Sequence, residues 1–370
     1  MTTRLLYFVS HPIQYQAPLL RMIAREPGLD LRVVFENDFS SRSYHDAGFG
    51  VDVQWDVPLR DGYESVLAAD VDLANEIRAS NVVWMHGWQG GLMRRVLSLA
   101  GSVERPILMR GENWSGAMPD GLPPRSWLKR LYLRRIFNRC SAFLAVGSRN
   151  RAYYVERGVR NDRIFDMPYA IDNDYFAARA TPHAAAAIRA RHGIATDRKI
   201  LLYAGKLTAR KHADHLLAAW RCADWSAGER PILMFVGDGE LRTSLERQAG
   251  ADVIFAGFRN QSEIAAYYAA ADLFVLLAER EPWGLAVNEA MACGTGVIVS
   301  DQVGAGYDLV GPEVGLQLPA GDIRALARAL PGLMMRSDDL GRAAKARIAS
   351  WDFRADIAGL RTSLDAVAIS

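Results

Sequence analysis

Ile200-Leu201-Leu202-Tyr203-Ala204-Gly205-Lys206-Leu207-Thr208-Ala209-Arg210-Lys211 decides the fold. Its first four residues form a continuous apolar run, which suits a strand covered on both faces of a parallel sheet. Gly205 then permits a tight turn, and two lysines bracket a basic loop. The amphipathic stretch His212–Arg221 follows as a helix. Strand, glycine loop and helix make up one βα unit.

The same alternation extends in both directions. Upstream, strands are expected at Leu5–Ser10, Leu31–Phe35, Val82–Met85, Ile107–Met109 and Phe143–Val146, with helices near Ala17–Arg25, Leu92–Ala100 and Arg125–Asn138. Downstream, strands are expected at Ile232–Val236, Val253–Phe255, Leu273–Leu277 and Val297–Val299, with helices at Leu241–Gln248, Ser262–Ala270 and Leu285–Ala292. Two successive βα sets predict an α/β protein of two Rossmann-like, doubly wound parallel-sheet domains. The expected division is an N-terminal domain over 1–171, a linker over 172–182, a C-terminal domain over 183–350 and a final helix over 351–370. The seam is polar and contains Asp172, Asn173 and Asp174 before Thr181-Pro182.

Composition narrows the function. The 370 residues carry 44 basic and 42 acidic side chains, a net charge of +2 that gives no whole-chain reason to invoke nucleic acid. Cys140, Cys222 and Cys293 are odd in number and lack metal-ligand spacing, which fits a reducing compartment. No apolar run approaches the roughly 18 residues that span a bilayer. The expected location is the cytoplasm, with possible contact at the inner membrane face.

The strongest chemical signal is Glu281-Pro282-Trp283-Gly284-Leu285-Ala286-Val287-Asn288-Glu289. Glu281 sits in a loop after a strand, and Glu289 about one turn inside the following helix. The free N–H groups of Gly284 and Leu285 suit phosphate oxygens. Two hydroxyl acceptors and an anion cradle match a sugar nucleotide, with diols at both ends and a diphosphate between. Read alone, the two carboxylates are equally a first-turn charge and an exposed helix residue. Lys206 and Lys211 are point charges able to reach a diphosphate, or simply a solvated basic loop. Gly237-Asp238-Gly239-Glu240 and Gly257-Phe258-Arg259-Asn260 also follow strands, where ligand loops or plain connections lie. The backbone around Phe258 could meet a base edge.

In combination, Gly205–Lys211, Gly237–Gly239, Gly257–Phe258 and Glu281–Gly294 resemble the family 4 glycosyltransferases of the GT-B fold; these ordered motifs cover about half the chain. The resemblance implies retaining transfer from a nucleotide diphosphate sugar, without a cofactor and without metal held by an Asp-x-Asp motif. It implies that Glu281 contacts the donor sugar, Glu289 the ribose, and Lys206 and Lys211 the diphosphate, with Gly237, Asp238, Phe258, Trp283, Gly284 and Leu285 along the donor. It also implies a C-terminal helix crossing back to the N-terminal domain. Two departures stand out: Lys206 occupies a position where the family often has Arg, and His11-Pro12-Ile13-Gln14-Tyr15-Gln16 replaces a glycine-rich loop.

Acceptor groups are expected in the first half. His86 follows a strand and resembles the family's active-site His. The alternative is a hydrogen-bonded loop histidine. Arg110 and Glu112 follow the next strand and could hold an acceptor phosphate and hydroxyl, or form a local ion pair. His11 and Gln14 complete the expected acceptor set. Arg125–Arg139 is basic and amphipathic, suited either to anionic lipid beside a lipid-linked acceptor or to an ordinary solvated helix face. Asp70/Asp72 and Asp172/Asp174 fit helix capping and the seam better than metal binding, and His212 and His215 lack a third ligand. A sugar-nucleotide epimerase of the same fold and a non-catalytic nucleotide-sugar-binding protein are the competing functions.

Overall fold

The computed structural model describes residues 2–226 and 228–368. Among the described residues the strands run in chain order: β1 (Thr3–Val9), β2 (Leu29–Phe35), β3 (Tyr44–Asp46), β4 (Val51–Val53), β5 (Glu64–Leu67), β6 (Val82–His86), β7 (Ile107–Gly111), β8 (Ala142–Ala145), β9 (Ile164–Asp166), β10 (Ile200–Ala204), β11 (Ile232–Val236), β12 (Val253–Gly257), β13 (Leu273–Leu276), β14 (Gly296–Ser300) and β15 (Gly315–Leu318). The chain divides into two compact units. The first comprises 1–44, 57–171 and 352–370, the second 45–56 and 172–351.

The first unit is a seven-stranded sheet in the order β5-β2-β1-β6-β7-β8-β9, with parallel pairs throughout. Its central strands are buried along their length, as expected for a sheet covered on both faces. The order reverses between β1 and β6, so the loops after these strands, carrying His11–Gln16 and His86–Gly87, lie at the topological switch point. The helix Phe353–Ala368 belongs to this unit. It packs so close to β9 that a Cβ at Gly359 would lie 1.8 Å from the Asp166 carbonyl oxygen. Arg361 clamps its far end to Glu26 at 2.6 Å.

The second unit is a six-stranded parallel sheet, β12-β11-β10-β13-β14-β15. Its order reverses between β10 and β13. The loops that follow those two strands hold Lys206 and Lys211 on one side and Glu281 on the other.

Two expected boundaries need correction. The N-terminal domain is not continuous over 1–171, because residues 45–56, including β4, cluster with the second unit. Hydrogen bonds and aromatic contacts to the loops at 206 and 258–262 hold them there. The expected linker 172–182 is instead mostly helical. Asp172 caps the helix Asn173–Arg179 through the Tyr175 N–H at 2.9 Å, and Thr181 caps Pro182–Arg191 through Ala184 N–H at 3.1 Å. Asn173 also donates to the Ile348 and Trp351 carbonyls at 3.0 and 3.2 Å, which fixes this segment within the second unit.

Candidate functional site

The loops that follow β10, β11 and β12 of the second unit are stitched together by their backbones. Gly205 N–H donates to Val236 O at 2.9 Å, Leu207 N–H to Asp238 O at 2.8 Å and Gly237 N–H to Gly257 O at 2.9 Å. This close approach requires glycine at 237, where φ is +131° and a Cβ would lie 1.9 Å from the Gly205 carbonyl oxygen. The Asp238 carboxylate turns inward to its own loop, accepting from Gly239 N–H at 2.9 Å and pairing with Arg242 at 2.5 Å.

The β10 loop reaches the β13 loop in the same way. Glu279 N–H donates to Arg210 O at 2.8 Å, and the Arg210 guanidinium donates to Arg280 O at 3.0 Å. That seam brings the Lys211 ammonium into a direct ion pair with Glu281. An ammonium carries three donors, so the pair leaves Lys211 able to bind a further anion.

Residues 281–284 are clipped to 302–305 by Glu281 N–H to Gln302 O (3.0 Å), Gly304 N–H to Glu281 O (3.1 Å) and Ala305 N–H to Trp283 O (2.9 Å). Gly284 turns the chain into the helix Leu285–Ala292 with φ +98°, a conformation that favours glycine. The Leu285 and Ala286 amides take no backbone acceptor among the described residues, so the helix opens on free donors. Trp283 departs from its expected place along the donor. It is buried, donates its indole N–H to Asn288 at 2.9 Å and stacks on Trp351 at 5.4 Å, anchoring the loop from behind.

One turn into the helix, Glu289 accepts a hydrogen bond from the Tyr268 hydroxyl at 2.8 Å. Burial pushes its carboxyl up to about 7, against the opposing effect of that bond. Glu289 is thus a half-buried acceptor with one oxygen already oriented.

Lys206 meets a carboxylate that the sequence did not suggest. Its ammonium lies 2.7 and 2.9 Å from the two oxygens of Asp46 and 5.0 Å from the Phe49 ring centroid. Burial resists ionisation of Asp46, but the Lys206 bond and the Phe49 and Gly48 N–H groups outweigh it, holding the carboxyl below its usual range. Phe258 sits under the same segment, with ring centroids 5.0 Å from Phe49 and 6.3 Å from Trp55.

The first unit has a polar cluster of its own at its switch point. The Tyr7 hydroxyl donates to Gln16 Oε1 at 3.0 Å and lies 3.0 Å from His86 Nδ1. With the phenol proton on Gln16, Nδ1 carries the hydrogen that Tyr7 accepts. His86 Nε2 then faces Glu112 Oε1 at 3.7 Å, within ion-pair range when the ring is protonated. Glu112 also accepts from the Tyr169 hydroxyl, which lies 2.8 Å from that of Tyr15. Burial opposes ionisation of Glu112, but His86, Tyr169 and the Arg110 charge keep its carboxyl below the usual range. An ionised carboxylate, an imidazole and phenols make a surface suited to hydroxyl groups. Tyr7 and Tyr169 were not singled out from sequence, and Tyr15 and Gln16 figure there only as part of the loop 11–16.

His11 lies beside this loop, its Nδ1 2.9 Å from Ser10 Oγ and its ring 4.6 Å from Phe39. Burial and then the His86 charge lower its pKa. Gln14 occupies the half-buried turn that follows. Arg110 departs from its expected acceptor role. It is 1% exposed, pairs with Asp356 at 2.9 Å and donates to the Met167 and Pro168 carbonyls. Its guanidinium therefore ties β7 to the C-terminal helix and is closed to a ligand.

Asp72 caps the helix Leu73–Ala79, accepting from Ala74 N–H at 2.8 Å. Among the described residues, no group of three or more His, Cys, Asp or Glu side chains is arranged to hold a metal ion.

Two parallel-sheet Rossmann-like units, with a final helix returning to the first, define the GT-B class of fold. Solved structures agree across the whole chain. A glycosyltransferase from Rickettsia africae superposes with a TM-score of 0.76 at 13% identity over 100% of both chains. Anabaena HepE in complex with UDP and glucose superposes with a TM-score of 0.73 at 15% identity, over 98% of this chain and 99% of that one. Residues 185–347 match the family described as Glycosyl transferases group 1. Among curated relatives, the GDP-mannose-dependent alpha-(1-6)-phosphatidylinositol dimannoside mannosyltransferase of Mycobacterium tuberculosis is 39% identical over 115 residues, 30% of each chain. The alpha-maltose-1-phosphate synthase of Mycolicibacterium smegmatis is 26% identical over 254 residues, 64% of each. The chain thus spans under two thirds of the length of either relative.

Proposed function

We propose that this chain is a retaining glycosyltransferase that moves a hexose-type sugar from a nucleotide diphosphate sugar to an acceptor hydroxyl in polysaccharide or glycolipid synthesis. The observation that carries this reading is the Lys211–Glu281 pair set before the open helix start at Leu285, with half-buried Glu289 one turn beyond. The diphosphate settles on Lys211, Lys206 and the Leu285 and Ala286 amides, which stabilise charge on the leaving group. Glu281 orients the sugar and Glu289 accepts from the ribose. As the anomeric bond breaks, positive charge grows on the sugar, the acceptor hydroxyl attacks from the face of the departing diphosphate, and a phosphate oxygen takes its proton. The His86–Glu112–Tyr169 cluster supplies groups for the acceptor or donor sugar, with His11 and Gln14 in the neighbouring loop. No metal or cofactor enters the scheme. The mannosyltransferase relative favours transfer over epimerisation.

A lipid-linked acceptor at the inner membrane face is the finer reading. No helix among the described residues is long and apolar enough to cross a membrane. On the helix Arg125–Phe137, however, Trp127, Leu128, Leu131 and Tyr132 are all exposed alongside Arg130, Arg134 and Arg135. Large apolar groups beside cations match an anionic bilayer surface better than a solvated face.

Incubating the protein with UDP-, GDP- and ADP-sugars, with and without saccharide and polyprenyl-phosphate acceptors, tests the function. Acceptor-dependent release of nucleoside diphosphate is expected. Conversion of the donor to its epimer without acceptor would favour the epimerase instead.

A further inference from the structure

Residues 45–56 touch two of the loops assigned to the donor, at Lys206 and at Phe258–Asn260. Asp46 holds the Lys206 ammonium with both carboxylate oxygens, at 2.7 and 2.9 Å. Phe49 lies beneath the same ammonium and against Phe258. Asn260 Nδ2 donates to the Gln54 carbonyl at 2.6 Å, and the Ser262 hydroxyl donates to Asp56. The fit is tight: a Cβ at Gly48 would stand 2.5 Å from Lys206 Cδ. Two oxygens of one anionic group, chelating an ammonium at hydrogen-bond distance, form the contact that a phosphate would make there.

We infer that Asp46 is an internal stand-in for the donor's diphosphate, so that the 45–56 segment sets donor affinity. This rests on the donor site proposed above. The charge on Lys206 is already neutralised, so an incoming anion must displace Asp46 or share the ammonium with it beside a like charge. A pyrophosphate, with further contacts at Lys211 and the helix start, offsets that cost. Asp46 is therefore a positioning residue that acts through Lys206.

The test is calorimetric titration of UDP, GDP and ADP, and of the matching monophosphates, into the full-length wild type, Asp46→Asn and Lys206→Ala. Asparagine keeps the Oδ1 acceptor that Gly48 and Phe49 N–H groups use, at 2.8 and 3.1 Å, so the turn is preserved while the charge goes. Asp46→Ser, with its own short acceptor, repeats the test should the asparagine variant misfold. Without Asp46's charge, diphosphate binding should tighten roughly 2- to 5-fold, the scale of a partly exposed ion pair. Monophosphates that meet the same ammonium should tighten as well. A merely structural Asp46 would lower the melting temperature without tightening any nucleotide. Unchanged or weaker diphosphate binding by Asp46→Asn, with Lys206→Ala still losing affinity, overturns the inference and leaves the donor site standing. If no nucleoside diphosphate binds any variant, or none responds to Lys206→Ala, the donor site itself fails and the inference with it.

Discussion

Arg110 and Asp356, 246 positions apart in sequence, form a fully buried ion pair at 2.9 Å that joins β7 to the C-terminal helix. Removing one partner of such a pair leaves an uncompensated charge, at a cost of about 3–5 kcal/mol. Arg110→Met should lower urea stability by that order and raise amide exchange across 353–368. Arg110→Met combined with Asp356→Leu should recover much of the loss, because an apolar pair of similar volume is often neutral. A single mutant as stable as wild type would show that the helix is held by packing alone.

Gly237→Ala should strain the donor loops. Its Cβ would collide with the Gly205 carbonyl at a positive φ. A loss of roughly 2–4 kcal/mol is expected from a clash of this kind at a special backbone conformation. Nucleoside diphosphate affinity should fall with it, which thermal melts and titrations together would reveal.

The raised pKa of Glu289 gives both stability and binding a pH signature. Its carboxyl titrates near 7 in the folded protein against an ordinary 4.5, so the folded state binds more protons between those values. Stability contributed by the protonated group is present below about 4.5 and declines as pH rises towards about 7. Glu289→Gln should therefore gain stability relative to wild type across that window. Donor affinity should run the other way, strengthening as pH rises and the carboxylate becomes the better acceptor for ribose. Parallel pH profiles for wild type and Glu289→Gln would exclude this role.

Much of the second unit was legible in its sequence, because each of its loops announces itself chemically. The helix Leu285–Ala292 is expected with those same bounds, since Gly284 opens it and Gly294 closes it. The strands β10 to β14 are apolar runs of four or five residues with no competing period. What escaped was interrupted or non-local. The strands β3, β4, β5, β9 and β15 have three or four residues each and are broken by polar side chains, so no apolar run marks them. Asp46 faces Lys206 across 160 positions, and nothing near it in sequence marks it as a partner. Arg110 looked available because it follows a strand; only its distant carboxylate shows that it is committed. The hydroxyls of Tyr7 and Tyr169 acquire meaning only once His86 and Glu112 are placed beside them.

The exposed aromatic and basic helix predicts membrane adsorption. Full-length protein should co-sediment with vesicles rich in anionic lipid at low salt and release as salt rises. Trp127→Ala with Leu128→Ala should weaken binding severalfold without altering the melting temperature, because both residues are solvent-exposed. Equal partitioning to neutral and anionic vesicles would remove the lipid-surface reading.

Lys211 is the residue on which transfer chemistry should depend most. Lys211→Ala should cut turnover by roughly 10²-fold or more, the scale of losing one donor to the leaving group in the transition state. Glu281→Gln should also lower it, through loss of sugar orientation.

The most direct test of the donor site is a crystal structure of the full chain with the nucleoside diphosphate that binds it tightest. The pyrophosphate is expected within hydrogen-bond distance of Lys211 and the Leu285 and Ala286 amides, with the ribose on Glu289. A well-ordered diphosphate bound elsewhere, with those groups left as they are and the Lys211–Glu281 pair uncontacted, would contradict the account.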